Sequence, residues 1–110
     1  MAEFFNASYA EIPALGQPSG VNLVTSTSDS TIILSILVAN RDGSSSADIT
    51  ALHTNASDVI QNYLGITVAV PADANVDLIG NKYILPSGDK LKLDSSTSGV
   101  LDGVVSYVVV

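Results

Sequence analysis

The only histidine, His53, is the residue on which acid–base catalysis would depend, and Asp48 and Asp58 lie near it along the chain. A Ser–His–Asp triad would have to use His53, but no Gly-x-Ser-x-Gly segment presents a nucleophilic serine. The sequence has no cysteine, which excludes thiol nucleophiles, thiolate zinc sites and iron–sulfur clusters. We therefore predict that the protein is not an enzyme and that His53 is a half-exposed strand residue.

Two oxygen-rich segments have spacings that calcium ligands can use. Asp73, Asn75 and Asp77 resemble the start of a calcium loop, but Leu78 and Ile84 stand where that loop needs Gly and Glu. In a strand the three polar residues share one face, and such an edge discourages pairing. The second segment consists of Asp42, Ser44, Ser46 and Asp48. We predict no resident metal or cofactor.

The charge balance excludes two classes of partner. The chain has 4 basic and 11 acidic residues and a net charge of −7. A nucleic-acid binder needs clustered cations to replace released counterions, and an anionic membrane surface would repel this chain. The longest nearly apolar run, residues 32–39, is too short for a membrane-spanning helix, which needs about 20 residues. We predict no nucleic-acid and no membrane partner.

The elements that must position these residues are strands. Short runs rich in Val, Ile and Leu alternate with clusters of Gly, Asn, Asp and Ser, which is typical of β-structure. The predicted strands are 21–25, 31–40, 47–54, 59–70, 76–79, 82–85, 90–93 and 100–110. The pattern predicts an all-β fold, an antiparallel β-sandwich or jelly roll of eight or nine short strands. This domain covers residues 21–110 and follows an extended N-terminal arm, residues 1–20.

Three local patterns refine this prediction. Asp42-Gly43 predicts a turn that joins strands 31–40 and 47–54 in a hairpin. Residues 58–64 also have helical spacing, which leaves a single helical turn as the alternative to a strand there. The segment 86–89 predicts a tight turn with Gly88 at positive φ.

Three predicted strands are apolar on both faces, namely segments 32–39, 66–70 and 104–110. A free-standing antiparallel sandwich buries one face of each sheet and exposes the other to water. The excess apolar surface therefore predicts a partner, first of all a second copy of the chain. The arm either folds back onto its own sandwich or reaches a neighbouring subunit. The predicted contact residues are Phe4, Phe5, Tyr9, Tyr107, Val108, Val109 and Val110.

Residues 31–110 also carry a characteristic order of short motifs. These are a strand that ends in Val-Ala-Asn at 38–40, Val-Pro-Ala at 70–72, Leu-Pro-Ser-Gly-Asp-Lys-Leu-Lys-Leu at 85–93 and Val-Val-Ser-Tyr-Val-Val at 104–109. In this order the chain resembles small β-sandwich virion proteins of tailed bacteriophages. The resemblance implies a capsid decoration or cement protein, or a neck or tail accessory. Its partners would be copies of itself and other virion proteins, such as the major capsid protein.

The resemblance further implies that the protein assembles in the bacterial host cytoplasm and resides in the virion, which agrees with the absence of cysteine. It carries over no catalytic residue. Two alternatives use other features of the sequence. One is a carbohydrate-binding module, with or without calcium at Asp73, Asn75 and Asp77. The other is a self-assembling surface-layer or pilus-like subunit.

Overall fold

The structure is a computed structural model that describes residues 3–16, 19–27, 29–80 and 82–110. These residues form nine β-strands, and they include no helix that could span a membrane. The strands are β1 Glu3–Tyr9, β2 Val21–Thr25, β3 Ser30–Asn40, β4 Ala47–Thr54, β5 Ile60–Val70, β6 Asn75–Asp77, β7 Tyr83–Pro86, β8 Lys90–Ser95 and β9 Leu101–Val109.

The strands form two antiparallel sheets. Sheet 1 has the order β1-β9-β3-β6, and β7 also pairs with β3 on the side of β6. Sheet 2 has the order β2-β8-β4-β5. With β6 and β7 together taking one position, this is the strand order of a jelly roll built from two four-stranded sheets. The predicted all-β antiparallel sandwich is confirmed.

The segment described as an arm contributes a strand of its own. β1 pairs with β9 in unbroken register from Glu3↔Val109 to Tyr9↔Gly103. The sequence pattern did not predict this strand, because the segment has only weak hydrophobic alternation. Its partner, the valine-rich β9, lies about a hundred residues away along the chain, so local propensity contains no signal for the pairing.

The predicted hairpin between residues 31–40 and 47–54 is wrong. β3 lies in sheet 1 and β4 lies in sheet 2, so the loop at 41–46 crosses from one sheet to the other. The carboxylate of Asp42 accepts hydrogen bonds from the backbone amides of Ser44 and Ser45, which shapes this crossover. An Asp-Gly pair favours a turn, but it does not by itself specify which strand the chain pairs with next.

The other local predictions hold. Residues 60–70 form a strand rather than a helical turn, and the register with β4 shifts on both sides of the Ala51↔Gly65 pair, as expected for a bulge at this glycine. In the tight turn, the Asp89 amide donates to the Pro86 carbonyl at 3.1 Å and Gly88 has a φ of 88°. This turn carries the chain from β7 in sheet 1 to β8 in sheet 2.

The core lies between the two sheets and is almost entirely aliphatic. Leu91 and Leu93 of β8 are fully buried, and the alternate residues Lys90 and Lys92 lie on the opposite face, as predicted. The space beside Gly103 is too small for a side chain, since an added Cβ would come within 2.7 Å of Leu93 Cδ1. Other core residues are Ile12, Ile33, Ile36, Val38, Ile49, Leu85, Leu101 and Val105.

Candidate functional site

A row of four apolar residues crosses the outer face of sheet 1. Phe4 of β1 pairs with Val108 of β9, Val108 pairs with Ile32 of β3, and Ile32 pairs with Ile84 of β7. Directly paired residues in an antiparallel sheet share a face, so these side chains form a continuous cross-strand ladder, here called the apolar row. Its two ends are open to solvent, since Phe4 is 75% exposed and Ile84 is 59% exposed.

The same face continues beyond the apolar row. Leu37 of β3 pairs with Val104 of β9, and the two are 42% and 36% exposed. Leu34 lies at the register shift of β3 and is also exposed. Both strands therefore leave apolar side chains uncovered in a single chain. The predicted apolar surface on the second face of segments 32–39 and 104–110 is thus left partly uncovered by one copy of the chain, and in the third predicted segment, 66–70, Ile66 is also exposed.

The predicted contact residues occupy different places. Phe4 lies on the outer face, whereas the rings of Phe5 and Tyr107 stack at 5.6 Å on the inner side, in register with buried Ile33. This stacked pair lies at the open edge of the sandwich, next to Thr25 and Thr27.

The remaining predicted contacts differ in exposure. Tyr9 and Val110 are exposed, Val109 is half-buried, and Val108 is buried beneath its neighbours in the apolar row. The predicted contact residues do not include Ile32, Leu34, Leu37, Ile84 or Val104. The two-faced pattern of segments 32–39 and 104–110 was the signal for four of them. Ile84 had no such signal, because its strand is too short to show alternation.

His53 lies in a buried polar network rather than at the surface. Its side chain is 7% exposed, so the prediction of a half-exposed histidine is wrong. Nε2 lies 2.6 Å from Asp89 Oδ2, and Nδ1 lies 2.8 Å from the hydroxyl of Tyr83. An ionised carboxylate can only accept, so Nε2–H donates to Asp89. Nδ1 shares the second hydrogen bond with the Tyr83 hydroxyl, and it accepts that hydroxyl's proton when the ring is neutral. His53 is buried because it pairs with the buried Leu91 of β8 and therefore lies on the inner face of sheet 2.

This network does not form a nucleophilic site. The position that a serine would occupy in a triad is taken by the hydroxyl of Tyr83, which also accepts from Asn62 at 3.4 Å. Asp58, which is close to His53 along the chain, instead binds the ammonium groups of Lys90 and Lys92 at 2.9 and 2.8 Å. These two hydrogen bonds lower the pKa of the Asp58 carboxyl to about 2.

The carboxylates of the two oxygen-rich segments accept hydrogen bonds from nearby residues of the chain. Asp77 Oδ1 accepts from the backbone amides of Ile36 and Ile79. Hydrogen bonds from the Ser44 amide and hydroxyl hold the pKa of Asp42 below its ordinary value of 3.8. Within the described residues, no three His, Cys, Asp or Glu side chains come together in a group that could hold a metal ion.

Comparisons with known proteins identify the fold and no sequence family. No family model matches the chain, and no curated protein matches it. Three solved structures of infectious bursal disease virus match at 8% identity: the T=13 particle at a TM-score of 0.53, T=1 particles at 0.56 and the Gx strain at 0.54. The matches cover 98%, 98% and 99% of this chain, which spans only 31%, 32% and 33% of the respective viral chains.

At this identity the likeness shows the fold alone. The chain thus belongs to a class of two-sheet β-folds that also occurs in chains of an icosahedral virus particle. This agrees with the virion β-sandwich implied by the sequence resemblance. The tailed-phage part of that resemblance stays a prediction.

Proposed function

We propose that the protein is a non-enzymatic structural subunit of a tailed-phage virion, a capsid decoration or cement protein or a neck or tail accessory. It assembles with copies of itself and with other virion proteins through the outer face of sheet 1. The observation that carries this proposal is the exposed apolar face, with Phe4 and Ile84 at the ends of the apolar row and Leu37 and Val104 beside it. Exposed apolar surface that is contiguous rather than scattered marks an interaction site.

The rest of the molecule supports an assembly role. The net charge of −7 makes two copies repel each other over most of their surface. The apolar row carries no charge, and the nearest side-chain carboxylate on the same face is that of Asp77, which pairs with Leu37 at the β6 edge, so the row itself offers contact without charge repulsion. Burial of about 400 Å² of apolar surface contributes roughly 10 kcal/mol before association costs. Many symmetric copies turn a modest affinity per copy into strong attachment.

The fold supports the same proposal. A jelly roll that matches chains of a viral particle over nearly its whole length is a suitable scaffold for a particle component. The resemblance of residues 31–110 to tailed-phage virion proteins supplies the finer assignment.

The direct test is the composition of virions. Particles purified from a host strain that carries the gene should contain the protein at a fixed copy number relative to the major capsid protein, as measured by quantitative mass spectrometry. The genes beside it should encode capsid, portal and tail proteins. Absence of the protein from such particles would overturn the proposal.

The surface is tested separately with a pair of matched variants. Ile84→Ser removes an exposed isoleucine from the apolar row, and Ile66→Ser removes an isoleucine of similar exposure from β5 in sheet 2. Burial of one such side chain contributes about 1.5–3 kcal/mol. Ile84→Ser should therefore weaken self-association in sedimentation velocity, or binding to particles, by roughly 10- to 100-fold. Ile66→Ser should leave both unchanged, and an equal effect of both variants would exclude the outer face of sheet 1.

A further inference from the structure

Three of the four sheet edges in the described part of the chain have features that discourage pairing with another chain. β2 has a register shift between Asn22 and Val24, and β5 has three shifts along its pairing with β4. At the far edge of sheet 1, β6 and β7 have only three and four residues. Bulges and short strands are common devices by which proteins protect sheet edges.

The fourth edge, β1, has none of these protections. Its seven residues pair with β9 without a register shift, and none of the other described strands pairs with its free side. In an antiparallel pair, alternate residues direct their N–H and C=O groups away from the partner strand. β1 therefore presents a straight row of backbone donors and acceptors, flanked by the exposed rings of Phe4 and Phe5.

We propose that β1 pairs with β1 of a second copy, antiparallel about a two-fold axis, so that sheet 1 continues from one copy into the next. This inference rests on the proposed function and adds to it a second contact between copies, at the edge of sheet 1, beside the contact made by its outer face. A strand that pairs with itself across a two-fold axis makes an isologous contact, in which both copies use the same surface. Backbone hydrogen bonds of the added strand supply affinity, and the side chains determine the register.

The side chains of β1 favour a register centred on Asn6. The pairs in this register are Glu3–Tyr9, Phe4–Ser8, Phe5–Ala7 and Asn6–Asn6. Glu3 is the only charged residue of β1, and this register places the two Glu3 carboxylates at opposite ends of the joined strands. Like charges that face each other across a strand pair destabilise it, so registers centred near Glu3 are disfavoured. Each Phe5 ring lies opposite a small alanine, which leaves room for it.

In the paired dimer, the outer face of sheet 1 occurs twice. The outer faces of sheet 1 in the two copies become one continuous face, on which both apolar rows lie. A dimer built in this way docks on a virion protein with two rows rather than one, which raises the effective affinity without any new type of contact.

Cysteine cross-linking tests the pairing, because the natural sequence has no cysteine. A disulfide requires Cα atoms about 4.4–6.8 Å apart, which directly opposite residues of paired strands satisfy. Asn6→Cys should therefore give a disulfide-linked dimer on mild oxidation. Ser8→Cys is the matched control, since the two Ser8 positions are offset by four residues, about 13 Å along the strands. A mixture of Phe4→Cys and Ser8→Cys copies should form the mixed dimer.

The folding of each variant is checked by its thermal melt. Asn6 is exposed, and its side chain accepts only one hydrogen bond shown by the structure, from the Ser106 hydroxyl. A failure of Asn6→Cys to cross-link, while the unmodified chain still self-associates, would overturn the β1 pairing and leave the proposed function standing. Equal cross-linking of Asn6→Cys and Ser8→Cys would also overturn it. Absence of the protein from virions would overturn the proposed function instead.

Discussion

The imidazole of His53 connects the two sheets, because its Nδ1 lies 2.8 Å from the hydroxyl of Tyr83. His53 is on β4 of sheet 2 and Tyr83 is on β7 of sheet 1. The other ring nitrogen, Nε2, lies 2.6 Å from a carboxylate oxygen of Asp89, in the turn that connects β7 to β8. The aliphatic core thus ends at this side of the sandwich in a polar network that satisfies both nitrogens of a buried ring.

Removal of the Tyr83 hydroxyl should destabilise the fold. Tyr83→Phe leaves the buried Nδ1 of His53 without its donor, and an unsatisfied buried polar group costs about 1–3 kcal/mol. Urea denaturation should show this decrease in the free energy of unfolding. Tyr63→Phe, at a partly buried tyrosine of β5, is the control and should change stability far less. Equal effects of the two substitutions would show that the hydrogen bond to His53 is unimportant.

A substitution at Thr54 should instead stabilise the fold. Its Oγ1 is fully buried and has no hydrogen-bond partner among the described residues. Thr54→Val keeps the shape and the strand propensity of the side chain and removes the unsatisfied oxygen. We expect the free energy of unfolding to rise by about 1 kcal/mol, measured by urea denaturation. A decrease would mean that the hydroxyl has a partner in solution, such as a bound water.

The bridge from Asp58 to two lysines predicts a pH dependence. The pKa of Asp58 is about 2 in the folded protein, against an ordinary value of 3.8. The folded state therefore binds this proton less tightly than the unfolded state does. The stabilisation is present above about pH 4 and is lost as the pH falls through 2.

Asp58→Asn should remove this contribution. The stability difference between the natural chain and Asp58→Asn should be constant near neutral pH and should vanish by about pH 2. Urea midpoints measured between pH 2 and 7 give the profile. The double variant Lys90→Gln/Lys92→Gln keeps the carboxylate and removes its partners, so it should lose the same pH dependence. An unchanged profile in both variants would contradict the ion-pair explanation.

Gly103 tests the packing between the sheets. An alanine Cβ would lie 2.7 Å from Leu93 Cδ1, closer than carbon atoms pack, and 3.2 Å from Ile12 Cδ1, which is a tight contact. Gly103→Ala should lower the free energy of unfolding by about 1–3 kcal/mol, as overpacked cores do. At Gly80 no described atom lies within 4 Å of the added Cβ, so Gly80→Ala is the matched control and should be nearly neutral.

The placement of β1 within its own chain is open to a direct test. Ser8 and Val104 are paired across β1 and β9. The double variant Ser8→Cys/Val104→Cys should form a disulfide within one chain and raise stability by about 2–4 kcal/mol. Non-reducing electrophoresis and mass spectrometry should show a monomer with two fewer hydrogens. A disulfide-linked dimer would show instead that β1 is exchanged between copies.

Most strands could be predicted from the sequence, but their pairing could not. The boundaries of β2 and β4 agree with the prediction, because turn residues enclose short apolar runs at both places. The hairpin at Asp42-Gly43 was wrong because a turn signal reports a local reversal and not the sheet that the next strand joins. The strand at Glu3–Tyr9 was missed because its stabilising partner, β9, is distant along the chain.

Only part of the candidate surface could be predicted from the sequence, because the rest depends on which strands pair. The two-faced patterns of β3 and β9 indicated apolar surface beyond one core, and the exposed Leu37 and Val104 are that surface. Ile84 joins it only because β7 pairs with β3 in a register that places Ile84 beside Ile32. His53 was expected to be half-exposed, since the sequence does not show that its side chain would lie on the inner face of sheet 2, in register with Leu91.

Composition and period-two alternation are local properties of the chain, so they were sufficient to predict the all-β class, the acidic net charge and the excess of apolar strand faces. The three-dimensional structure was needed to show which sheet each strand joins, which apolar residues remain outside and which sheet edge stays open. Those outcomes depend on contacts between residues far apart in the chain, and antiparallel pairing fixes them through register rather than through local preference.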